Sequence, residues 1–194
     1  MTAFVLGNGV SRLLVDVDHL QRQGDVYGCN ALYRTHRPTA LVATDQHIAR
    51  EIQESGWSKI NRFYTRRPLP KLGANTVPRE YFGFSSGPIA VAVAARDGHD
   101  PIYLIGFDMG PTTAGRFNNV YAGTQFYKAE NSDPTFTGNW VRQMQRVLGD
   151  HVKQRFVRVM GETTADLAEL ASIRNLESMP MSEFLASINT REET

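Results

Sequence analysis

The residues of this chain that can do chemistry sit in short polar stretches, most of them directly after an apolar run. The first is GNGVS, residues 7–11. Glycines let a backbone approach a ligand, and a helix that follows points its free N–H groups and positive dipole end at an anion. Gly7, Asn8 and Gly9 are thus candidates to hold a phosphate, and Ser11 can cap the helix or donate to a phosphate oxygen. GNGVS lacks the third glycine of the dinucleotide fingerprint and the lysine of a P-loop. A tight turn between buried elements accounts for it equally well.

The later stretches present the same choice. Asn30 offers a donor and an acceptor to a base or ribose edge, and asparagine is also an ordinary turn residue. Thr44 and Asp45 follow one apolar run, and Gly106-Phe107-Asp108 follows another. Either aspartate can hold a divalent metal or a ribose hydroxyl, or cap the next helix; Asp45 before Gln46 and His47 reads most simply as a cap. His47 falls in the first turn of that helix, facing the rim or solvent. The other histidines, His19, His36, His99 and His151, show no metal-ligand spacing, so no metal site is expected. Ser85-Ser86-Gly87-Pro88 places hydroxyls and backbone N–H groups before an apolar helix, a second anion cradle or a plain cap. Residues 118–127, NNVYAGTQFY, mix amides, hydroxyls and two tyrosines, as a ligand-contacting or well-packed loop would.

Elements able to place these residues alternate along the chain. Residues 3–6, 25–29, 39–43, 59–64, 101–106 and 155–160 read as strands. Helices are expected over residues 10–23, 46–55, 89–96 and 136–148, with one or two terminal helices over 164–188. Strands alternating with helices predict a Rossmann-like α/β fold: an open, mostly parallel sheet with helices on both faces. Residues 1–194 form a single nucleotide-binding-like domain on this reading, with long loops at about 65–84 and 110–135, where lids, binding loops or tethers are found. Ligands of such folds sit outside the carboxyl ends of the strands, where the polar stretches lie.

The totals narrow the function classes. Twenty-one Lys and Arg against 20 Asp and Glu leave a net charge of +1, without the basic footprint of a nucleic-acid binder. Cys29 is the only cysteine, which excludes an internal disulfide and a cysteine metal cluster. No basic-then-apolar leader opens the chain and no apolar run reaches membrane-span length, so a cytoplasmic protein is expected. A homo-oligomer remains open.

The stretches LGNGVS, VYGCNALY, PTALVATDQHI and SSGPIAVAVAARDGHDPIYLIGFDM span most of residues 3–109. In order and spacing they resemble the bacterial sialyltransferase-like glycosyltransferases and the related 6-hydroxymethylpterin pyrophosphokinase-like, flagellin-modification-associated proteins. The resemblance implies a Rossmann-like fold binding a nucleotide, in the sialyltransferases a cytidine nucleotide carrying a sugar. It puts Gly7, Asn8, Gly9 and Ser11 on the phosphate or ribose side, Asn30 and Thr44 on the nucleotide, and Ser85 and Ser86, with Gly87 beside them, near the ribose or base. Asp108 lies at the neighbouring strand end. Of the two tyrosines that meet the leaving phosphate in that family, one place is taken here by Gly110, and Tyr121 can supply the other.

The family's general base is a histidine before a late helix, and the corresponding TFTGNW, residues 135–140, has none. Asn139 does not titrate near neutrality, so His47 or Asp108 would have to take the proton. Three readings result. One is a glycosyltransferase-like enzyme that takes a nucleotide-sugar donor and an unknown acceptor. A second is a pyrophosphokinase-like transferase with magnesium held by Asp45 and Asp108. The third is a non-catalytic nucleotide-binding or assembly module, as in a virus-encoded or surface-modifying system.

Overall fold

A computed structural model describes residues 1–190. In chain order the elements are β1 (Ala3–Leu6), α1 (Val17–Gln23), β2 (Asp25–Cys29), β3 (Ala40–Val42), α2 (Gln46–Glu54), β4 (Phe63–Thr65), β5 (Asn75–Thr76), α3 (Ser86–Arg96), β6 (Ile102–Ile105), α4 (Gly138–Asp150), β7 (Phe156–Met160), α5 (Ala168–Ala171), β8 (Leu176–Pro180) and α6 (Met181–Asn189). The eight strands make one sheet in the order β5-β4-β3-β2-β1-β6-β7-β8, and every pairing is parallel. This is the Rossmann-like α/β fold, built as a single domain.

Strand residues alternate between two cores because neighbouring side chains point to opposite faces. Ala3, Val5, Tyr27, Val42, Ile102, Leu104 and Phe156 pack with α3, α4 and α5 on one face. Phe4, Leu6, Val26, Leu41, Tyr103, Ile105 and Val157 pack with α1, α2 and α6 on the other. The central strands β1 and β6 are buried at every position, which is why they read as continuous apolar runs rather than alternating ones. From β1 the chain works outward through β2 to β5, then α3 carries it back across the sheet to β6 on the other side of β1. The strand order therefore reverses between β1 and β6, the switch point at which open α/β sheets leave a crevice.

Several local expectations are corrected. The helix expected over residues 10–23 is a 3-10 turn, Val10–Leu14, followed by α1, because the Asp16 side chain accepts from the Asp18 and His19 N–H groups and caps a new helix there. The strand expected from residue 59 starts at Phe63, after a 3-10 turn at Trp57–Lys59. The loop at 65–84 contains the edge strand β5 and a 3-10 turn, Arg79–Tyr81, and buries Val77 and Tyr81, so it is part of the scaffold. Helix α3 begins three residues early, at Ser86. The C-terminal region expected as helix holds β8 between α5 and α6. β8 is an edge strand with a mixed burial pattern, so neither a long apolar run nor clean alternation marks it. The 110–135 region has no helix or strand, as expected. No helix among the described residues is long and apolar enough to cross a membrane.

Candidate functional site

A hollow of about 150 Å³ opens at the switch point. Gly7, Asn8 and Gly9 after β1, Cys29 and Asn30 at the end of β2, Ser85 to Pro88 at the start of α3, and Gly106 to Gly110 after β6 line it. Asn118 and Asn119 from the 110–135 region and Trp140 from the first turn of α4 complete the lining. Five chain segments thus deliver amides, hydroxyls and glycine backbone to one edge.

The glycines of GNG have a packing reason of their own. A Cβ on Gly7 would lie 2.4 Å from the Gly106 carbonyl oxygen, and one on Gly9 would lie 2.3 Å from the Asp108 carboxyl carbon. The turn after β1 is pressed against the turn after β6, and only glycine permits the approach. Gly7 N–H donates to the Ile105 carbonyl and Gly9 N–H to the Gly106 carbonyl, both at 2.8 Å. The motif therefore makes the rear wall of the hollow.

Asp108 is the bolt of that wall. Its carboxylate accepts five hydrogen bonds: from Ser11 N–H (3.1 Å), the Ser11 hydroxyl, the Asn118 amide (3.2 Å), the Thr163 hydroxyl (2.6 Å) and the Thr164 hydroxyl (3.1 Å). The residue is 2% exposed, and its lone-pair sites are taken by the protein's own donors. Arg158 fastens the same turn from below, donating to the Phe107 carbonyl at 2.9 Å and the Ala165 carbonyl at 2.9 Å. Ser11 spends its hydroxyl on Asp108 and does not line the hollow.

Arg12 was not a sequence candidate, although it follows Ser11 directly. Its buried guanidinium donates to the Gly7 carbonyl (3.0 Å), to Asn8 Oδ1 (3.3 Å) and to the Tyr121 hydroxyl (2.9 Å), and lies 5.2 Å from the Tyr121 ring centre. None of these partners is a carboxylate, so the guanidinium is held by neutral groups behind the GNG turn, while the Asp108 carboxylate lines the hollow itself. The guanidinium also fixes Asn8 Oδ1, leaving the Asn8 amide N–H₂ for the hollow. Tyr121 packs behind this arginine outside the hollow; burial raises its phenol, and Arg12 works in the opposite direction.

Ser86 ties three segments together: its hydroxyl donates to Asn30 Oδ1 at 3.0 Å and accepts from Thr44 N–H at 3.0 Å. Thr44 is therefore one bond removed from the hollow. Ser85 takes the position before α3 without a side-chain cap; its hydroxyl accepts from Trp140 Nε1 at 3.0 Å, which ties the indole to the start of α3. Trp140, Phe107, Met109 and Pro88 give the hollow an apolar side fit for a ring. Asn30 (φ 54°) and Met109 (φ 50°) are two of four non-glycine residues with positive φ among those described, and both line it. Such strain concentrates at functional sites. The Cys29 thiol is pushed up to about 11 by burial, so it is no nucleophile near neutrality.

The remaining candidates lie apart. Asp45 caps α2 through His47 N–H (3.0 Å) and lines a separate cleft, so it and Asp108 do not share a cavity. His47 is exposed, its ring stacked on Phe126 at 6.0 Å between centres. Among the described residues no three His, Cys, Asp or Glu side chains gather to hold a metal. Trp140 comes from the first turn of α4 and Asn118 and Asn119 from the 110–135 region, and only the two asparagines fell within a stretch singled out by composition.

No family model matches the chain, and no curated protein matches it. Solved structures do. The monofunctional alpha-2,3-sialyltransferase Cst-I from Campylobacter jejuni superposes with a TM-score of 0.51 at 13% identity, covering 99% of this chain and 94% of its own. The sialyltransferase CST-II, solved in complex with a trisaccharide acceptor and CMP, gives a TM-score of 0.52 at 12% identity, with 97% and 99% covered. At these identities the likeness is one of fold: over nearly the whole of its length, the chain has a sialyltransferase-like fold.

Proposed function

We propose that the switch-point hollow binds a nucleotide sugar and that the protein is a glycosyltransferase-like enzyme. One observation carries the reading: the hollow at the β1–β6 crevice collects Asn8, Asn30, Ser86 and the first turn of α3, with the Arg12 guanidinium orienting Asn8 from behind. These groups suit a phosphate flanked by a hydroxylated sugar, and the Trp140 side suits a base. Because a structure sharing this fold was solved with CMP and a trisaccharide acceptor, cytidine is the base to test first. In this reading the Asn8 side-chain amide and backbone N–H hold the phosphate and stabilise charge on it as the glycosidic bond breaks, the Gly7 and Gly9 N–H groups being spent within the wall. Asn30 and Ser86 position the ribose or sugar.

A second reading, a nucleotide-binding module without turnover, is favoured by the state of the titratable groups. Within the hollow these are Asp108, saturated by five donors, and Cys29, pushed up to about 11. An acceptor's proton would have to leave through a group outside it, with His47 as the candidate. The magnesium-dependent alternative has less support, since Asp45 and Asp108 line different cavities.

Thermal shift against cytidine, uridine, guanosine and adenosine monophosphates, with and without magnesium, tests the proposal. A nucleotide at 100 times its dissociation constant adds about 2.7 kcal/mol, a rise of roughly 5 to 10 °C at this chain length. Asn8→Ala and Ser86→Ala should each weaken binding roughly 3- to 10-fold, the loss of about one hydrogen bond, in proteins that still unfold cooperatively. The absence of any shift with any nucleotide would refute both readings. Turnover of CMP-linked sugar by the parent, lost in His47→Ala, would decide for the enzyme.

A further inference from the structure

Beside the hollow lies a second and larger cleft of about 510 Å³, formed by residues 44–53, 65–69 and 82–83. Three arginines, Arg50, Arg66 and Arg67, line it against a single carboxylate, Asp45, which is engaged as the cap of α2. Arg66 is held in place by donating from Nε to the Phe82 carbonyl and from Nη2 to the Phe84 carbonyl, both at 2.7 Å. That uses two of its five N–H groups and neutralises none of its charge. Arg67 has no side-chain partner among the described residues, yet its backbone is fixed: Gln53, 2% exposed, donates to the Arg67 carbonyl at 3.4 Å and accepts from Leu69 N–H at 2.7 Å. Arg50 shares an exposed pair with Glu54 at 2.6 Å, an interaction of small worth in water. The cleft is thus positively charged, with its arginine-bearing segment held by a buried side chain.

Its position gives it a use. Thr44 lines the cleft, and the Thr44 N–H donates to the Ser86 hydroxyl at 3.0 Å, while Ser86 lines the hollow. One hydrogen-bonded contact separates the two cavities. We propose that this cleft holds the anionic group of the second substrate, so that the acceptor is an acidic sugar carrying a carboxylate or a phosphate. The proposal rests on reading the hollow as the donor site. Guanidinium forks match both oxyanions, and three of them lining one cleft favour either over a neutral sugar.

Amide chemical-shift mapping of the full chain with glucuronic acid, glucose 6-phosphate and glucose, each with and without saturating CMP, tests this. Both acidic sugars should move the signals of residues 44–53 and 65–69, and glucose should not; whichever binds more tightly tells carboxylate from phosphate. The Arg50→Ala/Arg67→Ala double variant alters two exposed side chains and should bind the acidic sugars about tenfold more weakly, with its CMP thermal shift unchanged. Equal binding of glucose, or acidic-sugar affinity unaltered in the double variant, would overturn the proposal. If CMP fails to bind the parent while the acidic sugars still move the cleft signals, the donor reading falls and takes the acceptor role with it, and the anion preference stands alone.

Discussion

The two edges of the sheet carry similar residue types and put them to different use. At the amino edge Tyr27 donates its hydroxyl to Asp97 Oδ2 at 2.6 Å and lies 2.9 Å from His99 Nε2. Arg62 donates to Asp97 Oδ1 at 2.9 Å, and His99 Nδ1 donates to the Met1 carbonyl, which can only accept, at 3.1 Å. A hydroxyl, an imidazole and a carboxylate in contact are catalytic by type. Here each is consumed by the others, and neither cavity reaches them. At the carboxyl edge Asp108 is consumed in the same way, but around it the β1 and β6 turns stand off from α3 and leave a hollow. What sets the two edges apart is the unfilled space beside a satisfied network, more than the residues that make up the network.

That contrast can be broken experimentally, and the largest effect is expected at Asp108. Asp108→Ala would strand five buried or part-buried donors and should cost about 4 kcal/mol, lowering the unfolding temperature by roughly 10 °C. A drop of only a degree or two would mean that the rear wall is not held as described. Gly9→Ala, whose new Cβ would meet Asp108 at 2.3 Å, should cost about 2 kcal/mol in a denaturant titration and open the contact between the β1 and β6 turns. At the amino edge Tyr27→Phe should lose about 1 kcal/mol of stability with nucleotide affinity unaltered. If its nucleotide affinity changed as much as that of Asn8→Ala, the two edges would be coupled and the comparison would fail.

The smallest effect is one of pH. Burial acts to raise the Asp97 carboxyl, but the Arg62 guanidinium and the Tyr27 hydroxyl outweigh it and hold the group below its ordinary value. A carboxyl depressed on folding contributes stability above its unfolded pKa of about 3.9 and loses that contribution as the pH falls through its folded value. Melting temperatures followed from pH 6 down to pH 3 should decline at the acid end, and less steeply in Arg62→Gln. Arg62 is partly exposed, so the difference should be modest.

Much of the architecture was legible because it is written in local pattern. β1 and β6 are buried on both faces and so read as unbroken apolar runs, and the helix expected over 46–55 forms as α2, followed by Gly56 in the left-handed region (φ 79°). β8 was illegible for the converse reason: an edge strand half open to solvent carries neither signal. Of the candidate residues, those immediately after β1, β2 and β6 and at the start of α3 do converge, since a parallel sheet delivers every strand end to one edge. The orientation of their side chains could not be read. Ser11 and Tyr121 face protein partners, and Arg12 and Trp140, which shape the hollow, carried no motif.

By itself, then, the order of apolar runs, breakers and polar strand ends determined a parallel sheet with its amides and hydroxyls along one edge. Only the tertiary structure decided which of them meet a cavity and which meet each other. The deciding contacts join residues far apart in the chain, 97 positions between Ser11 and Asp108 and 109 between Arg12 and Tyr121, where local spacing carries no information about who satisfies whom.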